Sequence, residues 1–181
     1  VIEAKNSDHS VSDGLQQAKL YAEKLDIPFA YSSNGLGFQE FDYLTGVERS
    51  LNMDEFPTME QLTERYYKEA RITEQEKKII NQPFYSSQNT FPPRFYQRIA
   101  VNKVLKAVAK GQNRLLLVMA TGTGKTYTAF QIVYRLIQAG LKSKILYLAD
   151  RNILVDQSIK QDFRPLEKVI HKINYAQDKD R

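Results

Sequence analysis

Cysteine is absent from the 181 residues, which excludes a disulfide framework and every cysteine-based zinc site and fits a reducing interior. No apolar run approaches the roughly 18 residues that suggest a membrane span, and the N-terminus lacks the basic, apolar and small-residue succession of a signal peptide. The reading is a soluble, cytoplasmic protein with no membrane partner. Histidine is scarce: His9 and His171 stand alone, without neighbours spaced as metal ligands.

What is present is ordinary for a globular chain. Hydrophobic residues make up 42% and charged residues 26%, so a buried core is expected. The length suits one domain or parts of two. Lys and Arg number 26 against 21 Asp and Glu, a net charge of +5; this favours a polyanionic partner without identifying one, because many metabolic enzymes are equally basic. Val1 already stands inside an alternating stretch, and residues 178–181 follow an unfinished alternation of strands and helices. The chain therefore reads as a piece of a longer protein.

Periodicity predicts a strand over 1–5 and then a helix whose apolar face is Val11, Leu15, Ala18, Ala22 and Leu25. Strands over 27–31 and 37–43 end at the turn signals Asn34-Gly35 and Thr45-Gly46. Thr58 and Gln61 form a capping box that starts a helix running to about Ala70. Residues 71–93 are broken by Asn81-Gln82-Pro83, Ser86-Ser87-Gln88-Asn89 and Pro92-Pro93, and read as a linker with a short helix near 74–80. A helix over 94–110, a strand over 114–119, a helix over 125–138, a strand over 144–149 and a helix over 152–161 follow. Strands alternating with helices argue for a doubly wound parallel sheet in this half.

Between the strand over 114–119 and the next helix lies Ala120-Thr121-Gly122-Thr123-Gly124-Lys125-Thr126, the strand-loop-helix context of a P-loop. Two glycines let backbone N–H groups approach phosphate oxygens, and the helix N-terminus adds partial positive charge. Lys125 is expected to reach the β and γ phosphates of ATP, and the Thr126 hydroxyl to ligate Mg2+. The loop departs from the general pattern at its start, where Met119 replaces glycine. The bland counterpart is a glycine-rich turn from strand to helix.

With these residues in view, the second half resembles the motor of superfamily 2 helicases and translocases. Residues 119–126 are similar to motif I, and residues 148–157 to motif Ia, which in that family helps contact the nucleic-acid backbone; Arg151 and Gln157 are the matching DNA-binding positions. Arg94-Phe95-Tyr96-Gln97 resembles the Q motif, in which a glutamine reads adenine; Gln97 is the match, and an ordinary surface glutamine is the alternative. No Asp-Glu-x-His-like segment follows, so these residues are expected to bind ATP but hydrolyse it poorly by themselves.

In the first strand Glu3 and Lys5 lie two apart and share a face. A carboxylate there can hold a divalent metal, and an ammonium beside it can orient water or stabilise charge on a scissile phosphate. An alternating solvated strand offers the same pair by default. The following helix adds Gln17 and Tyr21, four apart on one face; an amphipathic helix with a half-buried tyrosine would look the same. The order Glu-x-Lys, Gln-x-x-x-Tyr, then P-loop is similar to the restriction (R, HsdR-type) subunit of type I restriction endonucleases, in which a PD-(D/E)xK nuclease precedes a translocase motor.

The resemblance implies an α/β chain: the C-terminal part of a nuclease domain over 1–70, a linker over 71–93, and the start of a RecA-like, doubly wound motor over 94–181. It implies a DNA-cleavage site from Glu3, Lys5, Gln17 and Tyr21, with Glu3 as metal ligand. It also implies an ATP site from Gln97, Thr121, Gly122, Thr123, Gly124, Lys125 and Thr126, with ATP and Mg2+ as cofactors. Double-stranded DNA and the methyltransferase and specificity subunits are the implied partners, and the family's upstream aspartate has no counterpart here. Two rivals stay open: a helicase-like translocase with a non-nuclease accessory domain, and an ATP-binding scaffold without turnover. The pairs Tyr66-Tyr67, Phe84-Tyr85 and Phe95-Tyr96 could stack on bases, although such pairs more often pack cores.

Overall fold

In a computed structural model, described over residues 1–88 and 90–173, the chain divides into two compact units, Val1–Lys77 and Lys78–Arg181. Asn89 of the expected loop and residues 178–181, on which the unfinished pattern was read, lie outside the described residues. Among the described residues no helix is long and apolar enough to cross a membrane.

The first unit is built on one mixed sheet of four strands in sequence order: β1 (Ile2–Ala4), β2 (Phe29–Ser33), β3 (Gly37–Asp42) and β4 (Glu48–Asn52). β1 runs parallel to β2, and the other pairs are antiparallel. A parallel pair needs a crossover, which α1 (Leu15–Leu25) supplies. Its small residues Ala18 and Ala22 pack on Ala30 of β2, so helix and sheet approach closely on that face. α2 (Met59–Glu69) begins at the expected capping box: Gln61 N–H donates to Thr58 Oγ1 at 3.3 Å and Thr58 N–H to Gln61 Oε1 at 2.8 Å.

Register decides what α2 meets. Tyr31, Glu40 and Arg49 are successive cross-strand partners and therefore share a face. Glu40, 1% exposed, accepts from Tyr31 Oη at 2.5 Å, from Arg49 Nε at 2.9 Å and from Arg65 Nη2 of α2 at 2.8 Å. Arg65 also reaches Asp42 at 3.3 Å and lies over the Phe29 ring. Burial alone would raise the Glu40 carboxyl, but the hydrogen bonds from Tyr31, Arg49 and Arg65 outweigh it and hold it below the ordinary glutamate value. Stability from this group is thus present at neutral pH and is lost as pH falls through the depressed value. Glu40→Ala, which strands two guanidinium groups, is expected to cost roughly 3–5 kcal/mol in a denaturant melt and to abolish this acid sensitivity.

α3 (Glu74–Ile80) falls where a short helix was expected. In the second unit α4 (Phe95–Ala109) and α5 (Lys125–Gln138) pack through Val101, Leu105 and Leu136, joined by Ile79. α6 (Asn152–Lys160) leads into a short 3-10 helix (Arg164–Val169), and Phe163 and Leu166 close on Phe130 of α5. Gln131, fully buried, exchanges hydrogen bonds with the Tyr85 backbone, accepting at 2.9 Å and donating at 3.1 Å. Residues 84 and 85, read as linker, are therefore part of this unit's packing, and Tyr85 sits edge-on to Phe130 and Tyr134.

Among the described residues the second unit departs from the expected strands. Segments 114–119 and 144–149 carry no strand ladder among the described residues, so the doubly wound parallel sheet is not formed among them. The physical reason is the lack of neighbours: a parallel strand is covered on both faces and bonded at its edges, whereas Val118 is 87% and Leu148 79% exposed. The sheet observed is mixed, and lies in the first unit. β4 was not foreseen, since its residues are mostly polar and exposed.

Candidate functional sites

Four side chains singled out in the first unit meet. Lys5 Nζ donates to Glu3 Oε1 at 3.1 Å and to Gln17 Oε1 at 3.0 Å, and Gln17 Nε2 donates to Tyr21 Oη at 2.9 Å. Strand alternation turns Glu3 and Lys5 to the α1 face, and the helical spacing of Gln17 and Tyr21 brings both to that edge. The result is a line of carboxylate, ammonium, amide and phenol in which the ammonium carries two acceptors. Glu3 and Lys5 are only partly exposed, at 19% and 28% of their side chains, so the pair is screened less than a surface ion pair. Among the described residues no three His, Asp or Glu side chains gather as a metal cage; Glu3 supplies one carboxylate.

Gly14, which the sequence reading passed over, determines this geometry. It is the residue before α1, and its N–H donates to the buried Ser32 Oγ at 3.1 Å; Ser32 is the register partner of Glu3. A Cβ at Gly14 would stand 2.7 Å from Ser32 Oγ, 2.9 Å from Glu3 Cγ and 3.3 Å from Lys5 Cε. Its backbone is ordinary, with φ −89°, so glycine serves here for room rather than for conformation. Gly14→Ala is expected to push α1 away, separating Gln17 from Lys5. The cost is roughly 1–3 kcal/mol in a melt.

In the second unit the loop before α5 takes the left-handed backbone at Gly122, φ +79°, and Gly124, φ +80°, a region open to glycine at little cost. A Cβ at Gly122 would meet nothing within 4 Å, so a phosphate oxygen has free approach to the backbone there. Lys125 Nζ rests on the carbonyls of Ala120 at 3.2 Å and Met119 at 3.5 Å. Thr123 Oγ1 donates to Ala120 O at 2.6 Å, tightening the turn. Thr121 is exposed, and Thr126 lines a cavity of about 410 Å³ together with Lys125.

Gln97 is placed at the loop, but its amide is engaged at both ends. Arg94 N–H donates to Oε1 at 2.9 Å, and Nε2 donates to Thr123 O at 2.9 Å. Because a backbone N–H can only donate and a carbonyl only accept, the amide orientation is fixed. Reading adenine would require one of these bonds to be exchanged. Tyr96, whose hydroxyl donates to Thr123 O at 3.2 Å, is a second latch on the loop that the sequence reading missed. Of the two expected DNA contacts, Arg151 is exposed and 3.8 Å from Asp150, whereas Gln157 lines the cavity beside Lys125 and Thr126. Among the described residues no hydrogen bond or ion pair joins the two.

A family model described as "Type III restriction enzyme, res subunit" matches residues 90–181, the stretch holding the P-loop. The EcoAI endonuclease subunit of the type I restriction enzyme from Escherichia coli is 44% identical over 178 residues, 96% of this chain. The chain belongs to the restriction-subunit family of HsdR type. The EcoKI endonuclease subunit from Escherichia coli (strain K12) is 35% identical over 147 residues, 76% of the chain. A solved fragment of an HsdR subunit of a type I restriction enzyme from Vibrio vulnificus is similar at a TM-score of 0.68 with 43% identity, over 77% of this chain and 26% of that one. The HsdR-type chain spans 22% of the EcoAI subunit and 12% of the EcoKI subunit.

Proposed function

We propose that this HsdR-type chain carries parts of two engines of a type I restriction-modification enzyme. The first is a PD-(D/E)xK nuclease that cuts double-stranded DNA with Mg2+, and the second a RecA-like, superfamily 2 motor that pulls the DNA with ATP. The subunit is proposed to work in the cytoplasm with methyltransferase and specificity subunits. The observation that carries the reading is the coexistence in one chain of the Glu3–Lys5–Gln17–Tyr21 line and a glycine loop whose lysine and threonine open a helix.

The residues fit the groups they would hold. Gly122 leaves the loop backbone open, the α5 N-terminus adds positive potential, and Lys125 brings a cation that can leave its carbonyls for phosphate oxygens. Thr126 would ligate Mg2+ from the same helix turn. ATP would supply the phosphoanhydride whose hydrolysis drives movement, and Mg2+ would neutralise charge on its phosphate oxygens. Glu3 would hold the nuclease metal by its one carboxylate, Lys5 would face the scissile phosphate or its attacking water, and Gln17 fixes the lysine while Tyr21 fixes Gln17. Arg151 is the proposed backbone contact of the motor, being exposed; Gln157 is the weaker of the pair because it faces the P-loop cavity.

The test is a paired assay on the full-length subunit with its partner subunits, scoring DNA-stimulated ATP turnover and circular-DNA cleavage in Lys5→Ala and Lys125→Ala. A translocase without a nuclease predicts that Lys5→Ala cuts as before, and a non-hydrolysing scaffold predicts no ATP turnover in the wild type.

A further inference from the structure

We propose that Asp162 recognises the sugar of the bound nucleotide, its carboxylate accepting hydrogen bonds from the ribose hydroxyls. This rests on the ATP-site reading above and adds to it a residue outside every motif described. Two cavities flank the P-loop. One, about 410 Å³, is lined by Lys125 and Thr126, the groups assigned to phosphate and Mg2+. The other, about 430 Å³, runs from Gly122 and Gly124 to the rings of Tyr96, Tyr127 and Phe91, a surface suited to a flat base. Asp162 lines both. In a nucleoside triphosphate the sugar joins base to phosphates, so a side chain bordering both compartments stands at the level of the sugar.

The chemistry agrees with that position. An ionised carboxylate only accepts, and a vicinal diol offers two donors to its two oxygens. Adenine would serve it less well, since the amino donor on its edge is flanked by an acceptor nitrogen. A resident metal would need further ligands, and no cluster of three acids or histidines occurs among the described residues. Among those residues no hydrogen bond or ion pair claims the Asp162 carboxylate, and burial raises its pKa above the ordinary aspartate value; this is an acceptor whose donor is still to come.

The support around it is firm. Phe163, the next residue, is buried against Phe130 at 5.6 Å between centroids, and its N–H donates to Ser158 O at 2.9 Å. The aromatic wall is fixed as well: Tyr127 Oη donates to Phe91 O at 3.1 Å and accepts from Gln131 Nε2 at 2.9 Å.

The experiment measures KM for ATP, 2′-deoxyATP and 3′-deoxyATP in DNA-stimulated hydrolysis by the full-length subunit and its partners. The wild type should prefer ATP over at least one deoxy analogue by about 10-fold, the worth of a hydrogen bond to a charged acceptor. Asp162→Ala should bring that ratio to about one, and Asp162→Asn, which keeps an acceptor oxygen, should retain part of it. Because the ratio compares nucleotides on the same preparation, partial misfolding does not imitate it. An unchanged ratio in Asp162→Ala, no preference in the wild type, or an altered Mg2+ requirement with the ratio intact would each overturn the assignment. Undiminished turnover in Lys125→Ala would instead sink the ATP-site reading, and the sugar assignment with it.

Discussion

Lys125→Ala is expected to lower DNA-stimulated ATP hydrolysis by the full-length subunit about 10²- to 10³-fold, the usual cost of removing a positioned charge from a developing phosphate anion. Gly122 and Gly124 hold left-handed backbone angles, so the turn closes tightly and delivers Lys125 to the first position of α5. There its ammonium bends back onto the carbonyls of Ala120 and Met119, two neutral acceptors that a phosphate oxygen can replace with a stronger charge-assisted bond. Alanine keeps the helix and the glycines, so the fold should persist and a melt should move little. Cleavage should fall together with turnover if cutting depends on movement along DNA. Wild-type turnover in this variant would remove the loop from the phosphate site.

Local signals were legible where local chemistry determines structure. The Thr58–Gln61 capping box and the helix after Gly124 follow from side chains within one turn of each other. Long-range causes were not. Gly14 reads as a spacer before a helix, and its reason appears only when β2 brings Ser32 beneath it. The Glu40–Arg65 pair joins residues 25 apart, and nothing in either neighbourhood announces it. β4 has no apolar alternation to detect because it is an exposed edge paired on one side. Segments 114–119 and 144–149 show the opposite failure: their apolar runs are strong strand signals, yet a run of valine and leucine does not make a ladder without neighbours. Gln97 lies beside the loop, but its two amide bonds tie it to the α4 start and the loop carbonyl, a role that residue type alone does not reveal.

Lys5→Ala is expected to separate the two proposed activities, leaving DNA-stimulated ATP turnover near wild type while circular-DNA cleavage falls about 10²- to 10³-fold. The ammonium sits between Glu3 Oε1 at 3.1 Å and Gln17 Oε1 at 3.0 Å, so it is held by an acid and an amide that is itself held by Tyr21. Its removal leaves the Glu3 carboxylate in place but takes away the positive charge proposed to face the scissile phosphate. Arginine at this position would not restore the site, because a planar fork cannot fill the place of a compact ammonium on the same two acceptors. Gln17→Ala should give a smaller loss than Lys5→Ala, since Gln17 acts by orienting the lysine. A sequence of effects in the order Lys5, then Gln17, with ATP turnover preserved throughout, is what a line of support ending on a cleavage site requires. Equal cleavage by Lys5→Ala and wild type would reduce Glu3 and Lys5 to a solvated pair on a strand and leave the motor as the only engine in this chain.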